Sequence, residues 1–147
     1  MKIFIVYFWL SFSGAILAAQ PLLVTLEEMQ ESNKAPLQIS SRSSPVKDAP
    51  VIEIVTPRLL DSVGSPTRIE LTFQSTAPSN VKPESFKALY GTFQIDITKR
   101  LLSVAKVTET GVLVQQASLP KGQHKILLVI EDSVGRSGSR VFEFAVN

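Results

Sequence analysis

Cysteine is absent from this chain of 147 residues, and histidine occurs once. Without cysteine there is no disulfide bond, no thiolate metal site and no lipid anchor on a cysteine, so a packed core must hold the fold together. Any enzyme mechanism that needs an imidazole has a single candidate, His124. Tryptophan also occurs once, as Trp9, inside an apolar stretch at the N-terminus.

The chain also lacks runs of like charge and glycine-rich phosphate loops. Fifteen basic residues face thirteen acidic ones, and only Lys2 of these charges lies in the first 19 residues. The remaining basic residues are scattered and do not alternate with aromatic ones. Nucleic acid is therefore excluded as a partner, and so is a nucleotide held by a phosphate loop.

The N-terminus has the three-part pattern of an export signal. Lys2 is followed by the apolar run Ile3–Leu10 and then by the small residues that dominate Ser11–Ala19. This pattern predicts a secretory signal peptide over residues 1–19, cleaved near its last two alanines. An uncleaved anchor is the alternative, but the apolar run is shorter than the roughly 20 residues that cross a bilayer. We therefore expect a periplasmic or secreted protein with no membrane span after cleavage.

Residues 20–50 have the composition of a tether. They are rich in Ser, Pro, Gln and Lys, which predicts a flexible linker that cannot bury enough apolar surface to become ordered. One part differs, because Leu22, Leu26 and Met29 are spaced as i, i+4 and i+7 and predict a short amphipathic helix. The alternative for this part is a fluctuating segment.

Residues 51–147 contain seven or eight short segments in which apolar and polar residues alternate, as in half-buried strands. The clearest is a hairpin over residues 117–147, in which Phe142, Phe144 and Val146 alternate with outward positions. A turn is expected over residues 61–66, and one helical turn over 99–103, capped by Asp96 or Thr98. The pattern predicts an all-β antiparallel sandwich. The predicted strands are residues 51–57, 67–74, 86–90, 93–97, 104–107, 112–116, 123–131 and 140–146.

Several turn and core positions follow one arrangement along residues 51–147. They are Ile54-Val-Thr-Pro57, Ile69-x-Leu-x-Phe73, Ile95-Asp-Ile-Thr98, Leu119-Pro-Lys-Gly122-Gln-His124, Asp132-Ser-Val-Gly135 and Phe142-x-Phe-x-Val146. This arrangement resembles the immunoglobulin-like and cadherin-like sandwich modules of exported bacterial proteins. The resemblance implies spacing, adhesion or ligand display, usually without catalysis. The cysteine pair and core tryptophan of antibody domains and the dense calcium motifs of cadherins are missing from it.

The residues that could carry chemistry have structural explanations. His124 follows a Pro-Gly turn, no serine lies in a Gly-x-Ser-x-Gly elbow, and Glu131 and Asp132 would point to opposite sides of a strand. Asp132 is expected to accept backbone N–H bonds in the turn before Gly135. A calcium ion on Asp132 and nearby carbonyls is the alternative. We predict no catalytic residue, no metal site and no cofactor.

The most informative surface is an apolar sheet face. If alternate residues of the last two strands fill the core, four apolar residues point outward and meet across the strand pair. They are Leu127, Val129, Val141 and Ala145. Such a patch predicts a protein interface. The alternatives are ordinary β-propensity on an exposed face and cover by the N-terminal residues Leu22, Leu26 and Met29.

These observations predict an exported, non-enzymatic binding or scaffolding module with a protein partner in the envelope or outside the cell. One alternative is a structural subunit of an envelope assembly. Another is a small hydrolase or metal-dependent enzyme that uses His124. Carbohydrate binding follows only from analogy with the fold, with Tyr90 and Phe93 as the nearby aromatic residues.

Overall fold

The computed structural model of the chain describes residues 21–35, 46–58 and 61–147. Most of these residues lie in β-strands that form two packed sheets, which confirms the predicted all-β sandwich. The predicted signal peptide over residues 1–19 lies outside the described residues. The helices are α1 (Leu26–Lys34) and α2 (Thr98–Leu102). The strands are β1 (Val51–Thr56), β2 (Ser62–Val63), β3 (Thr67–Gln74), β4 (Val81–Tyr90), β5 (Ile95–Asp96), β6 (Ala105–Thr108), β7 (Gly111–Ala117), β8 (Gly122–Asp132) and β9 (Ser137–Val146).

The strands are divided between a sheet of four and a sheet of five. The four-stranded sheet has the order β1-β3-β7-β6, and the five-stranded sheet has the order β2-β9-β8-β4-β5. Neighbouring strands are antiparallel except β2 and β9, which are parallel. The long hairpin of β8 and β9 lies inside the five-stranded sheet and forms the predicted C-terminal hairpin. The finer assignment to an immunoglobulin-like or cadherin-like family stays a prediction.

The core forms because alternate residues of each long strand face the opposite sheet. In β3 the buried positions are Ile69, Leu71 and Phe73, as the sequence pattern predicted. In the five-stranded sheet the same alternation buries one side of β4, β8 and β9. The core residues from these three strands are Val81, Phe86, Ala88, Tyr90, Ile126, Leu128, Ile130, Phe142, Phe144 and Val146.

Four elements differ from the sequence prediction. β4 begins at Val81, five residues before the predicted strand, and β2 lies inside the predicted turn over residues 61–66. The predicted strand over 93–97 shrinks to Ile95–Asp96, because the chain reverses before it through Gly91 and Gln94, both of which have positive φ. Helix α2 begins at Thr98, and its N-cap residue Ile97 makes no side-chain bond; the predicted cap Asp96 lies one residue earlier and accepts from the Thr98 N–H.

The N-terminal part of the predicted linker also differs from the expectation, because it packs against the sandwich. The N-terminus of helix α1 is capped by a capping box, in which Thr25 and Glu28 exchange hydrogen bonds. Just before it, Leu23 and Val24 are completely buried in the core, and Met29 of the helix is buried as well. The core therefore begins well before Val51. Residues 36–45, which follow this segment, lie outside the described residues.

Candidate functional site

The residues of the predicted patch lie on the outer face of the five-stranded sheet. Ile126, Leu128 and Ile130 of β8 are buried, so Leu127 and Val129 between them point away from the core. Both of these outward side chains are half-buried, because each lies between two neighbouring strands. The outward direction of Leu127 and Val129 follows from the same alternation that fills the core.

An apolar row crosses three strands at the middle of this face. Leu127 pairs with Val141 of β9 on one side and with Leu89 of β4 on the other. Val141 keeps 42% of its surface exposed, and Leu89 and Leu127 are partly exposed. Leu89 was not among the predicted residues. The strand pattern already indicated that Leu89 points outward, since Ala88 and Tyr90 are buried, but the pairing of β4 with β8 is not visible in the sequence.

Charged residues border the apolar row on two sides. Beyond Leu127 along β8, the Lys125 ammonium lies 3.0 Å from the Glu143 carboxylate of β9. On the opposite side of the row, Val129 pairs with Lys87 of β4. We call the row of Leu89, Leu127 and Val141, together with Val129, the apolar face.

Ala145 does not join the other three predicted residues. It pairs with Gln123 of β8 and, on its other side, with Ser62 of β2. The Lys125–Glu143 ion pair lies between Ala145 and Val141 along the sheet. The structure thus brings together Leu127, Val129 and Val141 and leaves Ala145 beyond a charged border. The reason is that successive outward positions of β9 alternate between apolar and charged residues.

His124 lies inside the sandwich with both ring nitrogens occupied. Its Nε2 is 2.7 Å from the Pro120 carbonyl oxygen, and its Nδ1 is 2.9 Å from the Tyr90 hydroxyl. The ring stacks on Phe144 with centroids 5.5 Å apart. Because a carbonyl only accepts, Nε2 carries the proton, and Nδ1 of the neutral ring accepts from Tyr90.

Burial decides the protonation of this pair. The pKa of His124 is lowered because burial disfavours the charged ring, although the hydrogen bond to Pro120 opposes the shift. Burial, helped by the negative charge of Glu28, raises the pKa of Tyr90 to about 12. The imidazole is therefore neutral at pH 7, and its unprotonated nitrogen already accepts a hydrogen bond. A general base needs that lone pair free to face a substrate.

A small cavity of about 270 Å³ opens beside this pair. The last turn of α1, with Ser32 and Asn33, forms one wall, and Gln123 and the Lys125–Glu143 pair form another. The described residues contain no buried side-chain nitrogen or oxygen that lacks a hydrogen-bond partner. Among the described residues, the cavity is therefore lined by no buried side-chain nitrogen or oxygen that still needs a hydrogen-bond partner.

Asp132 is a structural turn residue, as its position before Gly135 predicted. Its Oδ1 accepts from the backbone N–H groups of Val134 at 3.1 Å and Arg136 at 2.8 Å, and its Oδ2 accepts from Arg136 Nε at 2.7 Å. Burial would raise the pKa of Asp132, but these bonds to Arg136 and Val134 outweigh it, so the pKa is lowered. Both oxygens face N–H donors, which is unfavourable for a calcium ion.

The other chemical candidates are also dispersed. Within residues 21–35, 46–58 and 61–147, no group of three or more His, Cys, Asp or Glu side chains could hold a metal ion. Tyr90 is buried whereas Phe93 is 59% exposed, so the two rings do not form one aromatic platform. Asp96 accepts a hydrogen bond from the Thr98 backbone at 2.9 Å.

None of the described helices has the length and apolar character to cross a membrane.

Comparisons with known proteins give a likeness of structure but none of sequence family. No protein-family model matches the sequence, and no curated protein matches it. Among solved structures, the chain is similar to CopC from Methylosinus trichosporium OB3b, with 17% sequence identity and a TM-score of 0.45. That match covers 65% of this chain and 93% of the CopC chain. A likeness of this strength supports no conclusion about a ligand or partner.

Proposed function

We propose that this chain is an exported, non-enzymatic binding module that holds another protein on the apolar face of its five-stranded sheet. The observation that carries the proposal is the row of Leu89, Leu127 and Val141, which continues across three strands on the side away from the core. A solvent-facing side of an antiparallel sheet normally carries polar residues. A continuous apolar row with a charged border has the composition of an interface centre and rim.

The buried polar residues support a binding role over a catalytic one. The two nitrogens of His124 are engaged by Pro120 and Tyr90, and the two oxygens of Asp132 are engaged by the turn that follows it. Using either side chain in a reaction would first require these bonds to break. The apolar face needs no such rearrangement.

Export is supported by the sequence features of the N-terminus. The positive Lys2, the apolar run that follows it and the small residues before Gln20 form a secretory signal. The partner is therefore expected among envelope or extracellular proteins.

The test places two lysines on the apolar face. In the double variant Leu127→Lys/Val129→Lys, two charges replace the centre of the patch, and binding to the partner should fall at least about tenfold, since burying an unpaired charge costs more than 1.4 kcal/mol. A photo-crosslinking residue at position 141, which pairs with position 127 in the apolar row, would capture the partner in a whole envelope extract and report the loss in the double variant.

Val134→Lys is the matched control, because Val134 is 66% exposed in the turn between β8 and β9 and lies outside the apolar face. It should leave crosslinking and melting temperature unchanged. If the double variant instead lowers the melting temperature of the purified chain by about ten degrees or more, the face is core-like and the proposal fails. Equal crosslinking from positions 141 and 134 in the otherwise unchanged chain would also contradict it.

A further inference from the structure

The N-terminal segment binds to the sandwich as a peptide binds to a groove. We call residues 22–35 the docking segment, and the surface that receives it the docking groove. The segment and the groove are far apart in sequence, with separations of 60 and 72 residues in their side-chain contacts. The groove consists of Gly91, Thr92, Arg100, Ser118 and Gly122.

Polar contacts fix the segment at both ends and in the middle. Arg100 donates two parallel hydrogen bonds to the Glu28 carboxylate, at 2.8 and 2.7 Å. Ser32 accepts two bonds from Thr92: its Oγ accepts from the Thr92 backbone N–H at 2.9 Å, and its carbonyl accepts from the Thr92 hydroxyl at 3.1 Å. At the start of the segment, the Leu23 N–H donates to the Ser118 carbonyl at 3.1 Å. The docking groove thus selects a segment by its negative charge at position 28 and by the position of its backbone along the groove.

Two glycines shape the groove for these particular side chains. Ser32 lies so close to Gly91 that a Cβ at position 91 would overlap with it, and Met29 lies against Gly122 in the same way. Leu23 and Val24 are buried at the same end of the molecule. The groove therefore fits a helix with the spacing Glu-Met-x-x-Ser, preceded by a buried Leu-Val pair. This is the helix-in-groove mode of peptide recognition.

From this geometry we infer that the docking groove is also a self-association site, which takes the docking segment of a second copy of the chain. Every contact described above joins the segment to the groove, so each can form identically between two chains. Residues 36–45 join the segment to the sandwich, and ten residues span up to about 33–36 Å, which exceeds the diameter of a small domain. A segment can therefore reach the groove of a neighbouring molecule. This inference does not depend on the apolar face.

The protein concentration decides whether a docking segment binds the groove of its own chain or that of a second copy. A segment tethered by a short connection has an effective concentration on the order of millimolar at its own groove. We therefore expect a monomer in dilute solution, and exchanged dimers at about millimolar concentration or wherever pairing within one chain is blocked. Exchange would link adjacent copies without any new surface.

Charge reversal at the Glu28–Arg100 pair tests the inference. In Glu28→Arg two arginines face each other, and in Arg100→Glu two carboxylates do, both within one chain and in a homodimer. Only a mixed dimer restores both pairs, because the segment of each variant then meets a groove of opposite charge in the other. Mixing the two purified variants should therefore give a heterodimer by light scattering, at a concentration at least about tenfold lower than either alone needs.

The double variant Glu28→Arg/Arg100→Glu is the matched control. By itself it should be monomeric in dilute solution, as the wild type is. It should form no mixed dimer with the wild type, because the two residues of each exchanged pair would then carry like charges. Folded variants whose mixture stays monomeric would overturn the inference, and so would mixed dimers between wild type and the double variant.

A second measurement covers the case in which a single variant does not fold alone. Two differently tagged wild-type chains, mixed and chemically crosslinked at about 1 mM before dilution, should copurify as a mixed dimer. If they do not, the inference is overturned whatever the variants do.

Discussion

At the scale of the residue, His124 shows how a single candidate for catalysis is used by the fold. Its neutral ring links the Tyr90 hydroxyl of β4 to the Pro120 carbonyl before β8, and it stacks on Phe144 of β9. Three separate parts of the five-stranded sheet region meet at this ring. The role that the geometry supports is cross-linking by hydrogen bonds inside an apolar environment.

The buried imidazole predicts a dependence of stability on pH. The folded pKa of His124 is lowered from its ordinary 6.5, so the unfolded chain binds a proton more readily. The contribution of the neutral His124 to the free energy of unfolding is therefore complete above pH 6.5, and it is lost as the pH falls through the pKa of the folded state. The free energy of unfolding should fall between pH 7 and pH 5, with a slope of at most about 1.4 kcal/mol per pH unit from this group.

Urea unfolding at several pH values checks this slope, and His124→Asn is the control. The asparagine variant has no group that titrates in this window at position 124, and Tyr90 with its pKa of about 12 stays protonated. The variant should be less stable at pH 7 but should lack the His124 part of the slope. Parallel curves for the two chains would contradict the prediction.

The sequence allowed some residue roles to be predicted, because they depend on near neighbours. Asp132 was expected to accept backbone N–H bonds before Gly135, and two of its bonds come from residues two and four positions later. The outward direction of Leu127 and Val141 was predictable from alternation alone. The neighbour Leu89 and the isolation of Ala145 depend on strand pairing, which a single sequence does not reveal.

At the scale of the element, helix α1 combines a local signal with a distant one. The capping box of Thr25 and Glu28 is a spacing of three residues that is visible in the sequence. The same Glu28 also binds Arg100, which lies 72 residues away and could not be identified from the spacing. The helix was therefore predictable as a helix, but its docking site was not.

The Glu28–Arg100 pair predicts a second, more acidic effect. The bonds from Arg100 lower the pKa of Glu28 from 4.5 to about 2, although burial opposes the shift. Its stabilisation is complete above pH 4.5 and is lost as the pH falls through about 2. Because both side chains remain partly exposed, we expect Glu28→Gln to lower the free energy of unfolding by only about 1 kcal/mol at pH 7.

Glu31→Gln on the same helix is the matched control. Glu31 pairs with Lys34 at 3.2 Å, but both side chains are mostly exposed, so the change should have almost no effect. Denaturant unfolding at pH 7 and in the window from pH 4.5 down to pH 2 compares the variants. An equal effect of both substitutions would show that Arg100 gives Glu28 no special role.

Strand predictions differ in quality for a physical reason. β3 was predicted over its full length, because its one buried face gives a clear alternation. The first half of β4 was missed because Lys82, Pro83 and Glu84 interrupt that pattern, and a register shift occurs in this region. β2 has only two residues, and its pairing with β9 comes from tertiary structure.

At the scale of the whole molecule, the structure differs most from the sequence prediction in where the folded core begins. The composition of residues 20–50 indicated a tether, so the core was expected to begin near Val51. Leu23 and Val24 are nevertheless completely buried, and they contribute to the same core as the strands. Two adjacent apolar residues have no periodicity, so nothing local distinguishes them from apolar residues of a linker.

The buried Leu-Val pair predicts a large effect of a small change in the apparent tether. Leu23→Ala removes a fully buried side chain and should lower the free energy of unfolding by about 2–5 kcal/mol. Leu26→Ala, three residues later, is the matched control, because Leu26 is 53% exposed and should cost less than about 1 kcal/mol. Urea unfolding of the purified chain in dilute solution at pH 7 measures both. If the two substitutions cost the same, the segment before α1 is not part of the core. If Leu23→Ala is the costly one, a chain cut near Val51 lacks part of its own interior, since the stability of a small domain is only about 5–15 kcal/mol.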